Sequence, residues 1–246
     1  MTRRTTLVLQ SIGWTWIVVF VAIGVLGAGV HVVDHLVPIA DRPAVARVLI
    51  DHFYGREFYG HWIEFRTHPV SRLTHMILGI VFVLMVPLQL VPRIRVRHPR
   101  LHRILGRVAL ACSIPLIVTG WIFAFRFTYT GFAEQVPTVT FSLIYVWLVA
   151  MAVRSIRSGD VGRHREWMIR AFAMMMGISG TRVWFYLFLK ATAYPSTEFF
   201  ASIFWLGMGV NLLIAEIWIN VTRSSAAIPN AVAVPGSPTD GVQLAA

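Results

Sequence analysis

The sequence predicts an all-α fold: a polytopic transmembrane helical bundle of six spans with both termini cytoplasmic. Three observations carry this expectation. Hydrophobic residues make up 57% of the 246-residue chain and charged residues only 13%, where a soluble domain has about a quarter charged. The apolar residues fall into runs long enough to cross a bilayer, separated by short polar segments. The basic residues are concentrated in a few of those segments. Arg93 to Arg107 reads R-I-R-V-R-H-P-R-L-H-R-I-L-G-R, with six arginines, two histidines and no acid. Short arginine-rich loops stay on the cytoplasmic side, and placing this one inside sets the direction of every span. The net charge of +11 therefore reads as topology and as contact with anionic lipid headgroups, and not as a nucleic-acid surface. Cys112 is the single cysteine and lies in an apolar run, which excludes an intrachain disulfide and disfavours a thiolate.

The spans follow in order. Arg3 and Arg4 precede an apolar run from Leu7 to about Val33, too long for a signal-peptide core and so an uncleaved first span. Its glycines Gly24, Gly27 and Gly29 suit close helix packing. Residues 34–70 balance Asp34, Asp41, Asp51, Glu57 and Glu64 against arginines and carry Phe53, Tyr54, Phe58, Tyr59 and Trp62. This is the composition of an outer interfacial segment. The second span runs inward from Ser71 to Pro92, with Pro87 a kink. The third runs from Leu101 to Phe125, with Pro115 another. Arg126 to Pro137 forms an outer loop, and the fourth span is Thr138 to Val153. A basic segment, Arg154 to Arg165, leads into a fifth span from His164 to Leu189. A loop from Lys190 to Thr197 precedes the sixth, Phe199 to Val221. Residues 1–222 thus form one membrane domain. The Ala, Pro and Gly-rich tail 223–246 lacks a periodic apolar face, as a disordered cytoplasmic tail does. Spans three and five open alike, with His102-Arg103 and His164-Arg165 followed by Arg107 and Arg170, a weak internal repeat.

The motifs are F-x-x-H-P at Phe65, His68 and Pro69, H-x-x-x-G at His75 and Gly79, and P-L-Q at Pro87 to Gln89. Beyond them come H-P-x-L-H-R-x-L-G-R from His98 to Arg107, then Gly159-Asp160, H-R-x-W-M-x-R from His164 to Arg170, and Arg182. In these pieces, over about residues 60 to 190, the chain resembles a family of predicted bacterial membrane proteins known only as a domain of unknown function (number twenty-three-oh-six). The resemblance implies a multi-pass protein of the bacterial cytoplasmic membrane and no activity. At the level of histidines on helix ends, the chain also looks like the di-haem membrane cytochromes b of the ascorbate-reducible type.

Ionisable groups within spans are costly and mark functional candidates. His75 has Gly79 at i+4 and His102 has Gly106, so each pair shares a helix face where a flat macrocycle can approach the backbone. Imidazole is an axial ligand for haem iron; a histidine hydrogen-bonded between helices beside a packing glycine is the better account of one such motif, and two on adjacent spans, with His164 at a third helix start, bring the readings nearly level. His102 and His164 lie at the same depth and fit one iron. Arg103, Arg107, Arg165 and Arg170 would then pair with propionates, or serve topology alone, and Arg182 would face a propionate, a substrate anion or backbone carbonyls. His75 needs a partner from His31, His35 or His68. The leading expectation is a b-type haem electron-transfer protein working between a quinone or small reductant and an acceptor. Its rivals are a metal-dependent membrane enzyme built on His31, His35, His68 and His75, and a non-catalytic membrane protein. Glu216 is the expected partner of Arg170.

Overall fold

A computed structural model of the chain describes residues 3–37, 44, 67–128, 130–192 and 196–226. Every regular element among them is helical: α1 (Arg3–Leu36), α2 (Pro69–Leu90), the short α3 (Pro92–Arg97), α4 (Pro99–Arg126), α5 (Phe132–Arg157), α6 (Val161–Thr192) and α7 (Ser196–Ala226). The interfacial segment, with His52, His61, Asp51, Glu57 and Glu64, lies outside the described residues, as do residues 227–246.

Local chemistry sets where these helices begin and end. Three of them start with proline in the first turn, Pro69, Pro92 and Pro99, each preceded by a non-helical residue: His68, Val91 and His98. Proline fits the first turn because its missing N–H is not needed there, and it keeps the residue before it out of the α region. The arginine-rich segment is consequently not an irregular loop but the helical pieces α3 and the start of α4. A second hinge joins α5 to α6. Gly159, at φ 82°, takes the left-handed conformation that ends a helix without a Cβ penalty. Asp160 then accepts the backbone N–H of Arg163 at 2.9 Å, capping α6. The Gly-Asp motif is this stop and start.

Two expected boundaries are corrected. α5 begins at Phe132 and not Thr138, because Gly131 at φ 61° turns the chain into the helix and Thr128 donates to the Glu134 carboxylate at 3.0 Å. α7 runs on to Ala226 instead of stopping near Val221. Arg223 at its end reaches back to Glu166 of α6 at 2.7 Å.

Among the described residues, five helices are long and apolar enough to cross a membrane: Leu7–Leu36, Pro69–Leu90, Pro99–Arg126, Phe132–Arg157 and Ala201–Arg223. α6 is not among them, yet it packs on α7, α5 and α1. Ala171, Phe172 and Met174 are fully enclosed. A helix covered by its neighbours needs no continuous apolar surface. Its tightest contact is with α7. A Cβ on Gly207 would lie 3.0 Å from the Thr181 backbone nitrogen and 3.1 Å from the Gly177 carbonyl oxygen, whereas one on Gly209 would meet nothing within 4 Å. Asn211 adds a polar tie, accepting from the Trp16 indole of α1 at 3.2 Å and donating to the Ala173 carbonyl of α6 at 3.3 Å.

Gly207→Leu must therefore push two backbones apart and should cost about 1–3 kcal/mol, measured as a lower thermal midpoint in detergent. Gly209→Ala should leave the midpoint unchanged.

Candidate functional site

Three polar arrangements interrupt the apolar interior. The first joins α1 to α2. Arg72 Nη2 lies 2.9 Å from Asp34 Oδ2, with both side chains fully excluded from the surface, and 3.3 Å from His31 Nδ1. Guanidinium can only donate, so His31 Nδ1 is the acceptor and the neutral ring carries its proton on Nε2. Neither nitrogen is then a bare metal ligand. Sequence reasoning passed over Arg72. Its signal was an arginine two residues inside an apolar run, with an acid at the end of the preceding one.

The second is a half-open cavity of about 140 Å³ lined by α1, α2, α4, α5, α6 and α7. Its lining is apolar except for His75, Arg182 and a few hydroxyls. His75 Nδ1 lies 2.7 Å from Thr119 Oγ1, and Thr119 donates its own proton to the Pro115 carbonyl at 2.6 Å. With that proton committed, the hydroxyl oxygen accepts from His75, so Nδ1 carries the hydrogen and Nε2 the lone pair. Thr119 of α4 holds the Nδ1 side of His75, so the histidine partner expected for it concerns the other nitrogen, Nε2. Gly79 lines the cavity as its spacing suggested. Gly27 makes room for Arg182, whose Nε would lie 3.0 Å from a Cβ there.

The third is the end of the bundle nearest α3. His164 Nδ1 donates to the Ala152 carbonyl at 2.9 Å, which leaves its Nε2 with the lone pair. His102 Nδ1 is buried without a protein partner, and Arg95 and His164 are the groups whose charge reaches it. The expected place of Gly106 beside a slot is corrected. A Cβ there would lie 3.2 Å from Gln89 Oε1, and Gln89 donates to the His102 carbonyl at 3.0 Å. Gly106 thus admits Gln89, which locks α2 to α4. Arg103 and Arg107 are exposed. Arg165 donates to Thr222 at 2.7 Å, and Arg170 forms the expected pair with Glu216, through Nε and through Nη2 at 2.9 Å.

Of the residues expected to form an outer metal site, His31 and His75 meet Arg72 and Thr119. His68 sits beside Thr67 at 2.8 Å and edge-on to Phe127, while His35 Nδ1 is buried without a hydrogen-bond partner. Among the described residues, no three His, Cys, Asp or Glu side chains come together as metal ligands.

Long apolar helices enclosing paired charges define a multi-pass integral membrane protein. A family model described as a predicted membrane protein, DUF2306, matches residues 72–219, more than half of the chain, and the chain belongs to that family. No curated protein and no solved structure matches it. The family match opens on Arg72, the buried cation of the first arrangement.

Asp34→Ala should leave that cation unpaired in the interior and cost about 3–5 kcal/mol, whereas the double change Asp34→Leu with Arg72→Met should be close to neutral. Unfolding of the purified variants in mixed micelles measures both.

Proposed function

We propose that α6 crosses the membrane as a sixth span, with both termini and the arginine-rich segment on the cytoplasmic face of a bacterial inner membrane. We further propose that the protein is a b-type haem electron-transfer component, with His102 and His164 as the ligands. The observation that supports this is the state of the two imidazoles at the α3 end. The Ala152 carbonyl holds the His164 Nδ1 proton, as an outer partner does for a metal-bound histidine, and presents Nε2 as the ligating atom. His102 keeps a buried nitrogen without a protein partner, a cost that a metal bond would remove.

The helices around the pair also suit it. α4 and α6 are kept apart by core side chains, among them Phe82, Phe172 and Met176, and neither is the other's main packing neighbour. Haem supplies a one-electron couple when bound. The chain's own contribution is to hold the two imidazoles, exclude water through the apolar core, and place Arg95 and Arg165 beside them to offset negative charge. The cavity beside His75 falls below the 300–1,000 Å³ typical of sites for drug-sized ligands, so the haem is assigned to the α3 end alone. A quinone or small reductant on one face and an acceptor on the other are the redox partners this reading requires.

Protein purified from cells supplied with haem precursor should show Soret and α bands in a reduced-minus-oxidised spectrum. His102→Ala and His164→Ala should each abolish the α band, and His75→Ala should retain it. A wild-type protein without these bands contradicts the haem reading.

A further inference from the structure

We propose that the cavity between His75 and Arg182 binds a single hydroxylated six-membered ring, a monocyclic phenol or quinol. Its volume is about 140 Å³. An apolar cavity of about 150 Å³ holds benzene, so the space matches one ring. Gly79 and Gly120 leave part of the wall without side chains, while Phe82, Met174 and Met208 supply aromatic edges and sulfur, the surfaces that aromatic rings prefer.

The polar groups narrow the class. Thr138 and Ser142 spend their protons on the Glu134 and Thr138 carbonyls. His75 has committed Nδ1 to Thr119 and retains an acceptor at Nε2. Arg182 lines the same space, and no carboxylate among the described residues pairs with it. Guanidinium donates only. The site therefore offers the acceptor of His75, the cationic donor of Arg182 and the hydroxyl of Ser179 within otherwise apolar walls. A purely apolar ring would leave His75 and Arg182 unanswered, and an isolated carboxylate would set its charge against the lone pair of His75. A hydroxyl answers both: its O–H donates to His75 Nε2 and its oxygen accepts from Arg182. Neither His102 nor His164 lines this cavity, so the inference does not rest on the haem reading.

The test is titration of the purified protein in lipid nanodiscs with phenol, anisole and benzene, using protein-free discs as the blank. Phenol should bind about tenfold more tightly than anisole or benzene, the advantage of one well-made hydrogen bond. His75→Leu and Arg182→Met should each remove that advantage, and Arg182→Lys should restore part of it. Gly120→Ala places its methyl at an ordinary contact distance, 3.9 Å from His75 Cε1; it should fold normally and weaken all three ligands by reducing the space. Equal binding of the three rings to the wild type, absence of ring binding, or an undiminished phenol advantage in both polar variants would overturn the proposal. A prenylated quinol that outcompetes its tail-less analogue identifies the bilayer as the source of the ring, and equal competition identifies the aqueous phase. Because no haem absorbance is read, loss of phenol binding and loss of the α band are separate results.

Discussion

The structure depends on pairing the polar groups of α6 with its neighbours, as the sixth span proposed above would require. In a bilayer no water is present to satisfy an exposed charge, and a charged side chain at its centre is costly. α6 carries Arg165, Glu166, Arg170 and Arg182 and does not reach the hydropathy of a free-standing span. The bundle meets this constraint by wrapping the helix. α7 supplies Glu216 for Arg170, Thr222 for Arg165 and Arg223 for Glu166, while α1 offers the recess at Gly27 for Arg182. The close glycine crossing at Gly177 and Gly207 follows from the same need, since polar pairs of ordinary length require adjacent helix axes.

Enclosure also separates the two candidate sites. Along α4 the order is His102, then Ala109 to Leu116, then Thr119 and Gly120. Along α6 it is His164, then Phe172 to Met176, then Ser179 and Arg182. The middle portions meet in one apolar cluster with Phe20, Phe82 and Val86. The imidazole pair and the ring-sized cavity thus lie on opposite sides of an apolar layer in which Cys112 and Tyr145 are buried. Arg72 and Asp34 close the far end of α1 and α2 with a buried pair, so both ends of the bundle are polar and specific while its middle is generic packing.

Much of the architecture was legible in the sequence because membrane spans advertise themselves by length and composition. The Arg170–Glu216 pair was legible too, from depth alone. The boundaries were less so. Pro92 read as the end of the second span and Pro99 as a loop residue in the arginine-rich stretch, but their place at helix starts follows from geometry that any span signal ignores. Residue pairs across helices were the least legible. Spacing along one helix cannot reveal that Thr119, whose own proton is held by Pro115, takes the Nδ1 side of His75. The pairing of Gly106 with Gln89 was hidden for the same reason, although both residues stood in motifs that had been noticed. His52, His61 and the carboxylates near them fall outside the described residues, so the outer metal expectation extends beyond what this structure describes.

The central claim is that α6, polar as it is, crosses the membrane within its wrapping. Single cysteines placed at Val96, Thr130, Ser158 and Ala191 in a Cys112→Ser background test it directly, using a membrane-impermeant maleimide on intact cells. The account predicts that Thr130 and Ala191 are labelled from outside, and that Val96 and Ser158 react only after the membrane is opened. Ala191 sharing the accessibility of Ser158 would contradict it, because the two ends of α6 would then lie on one face.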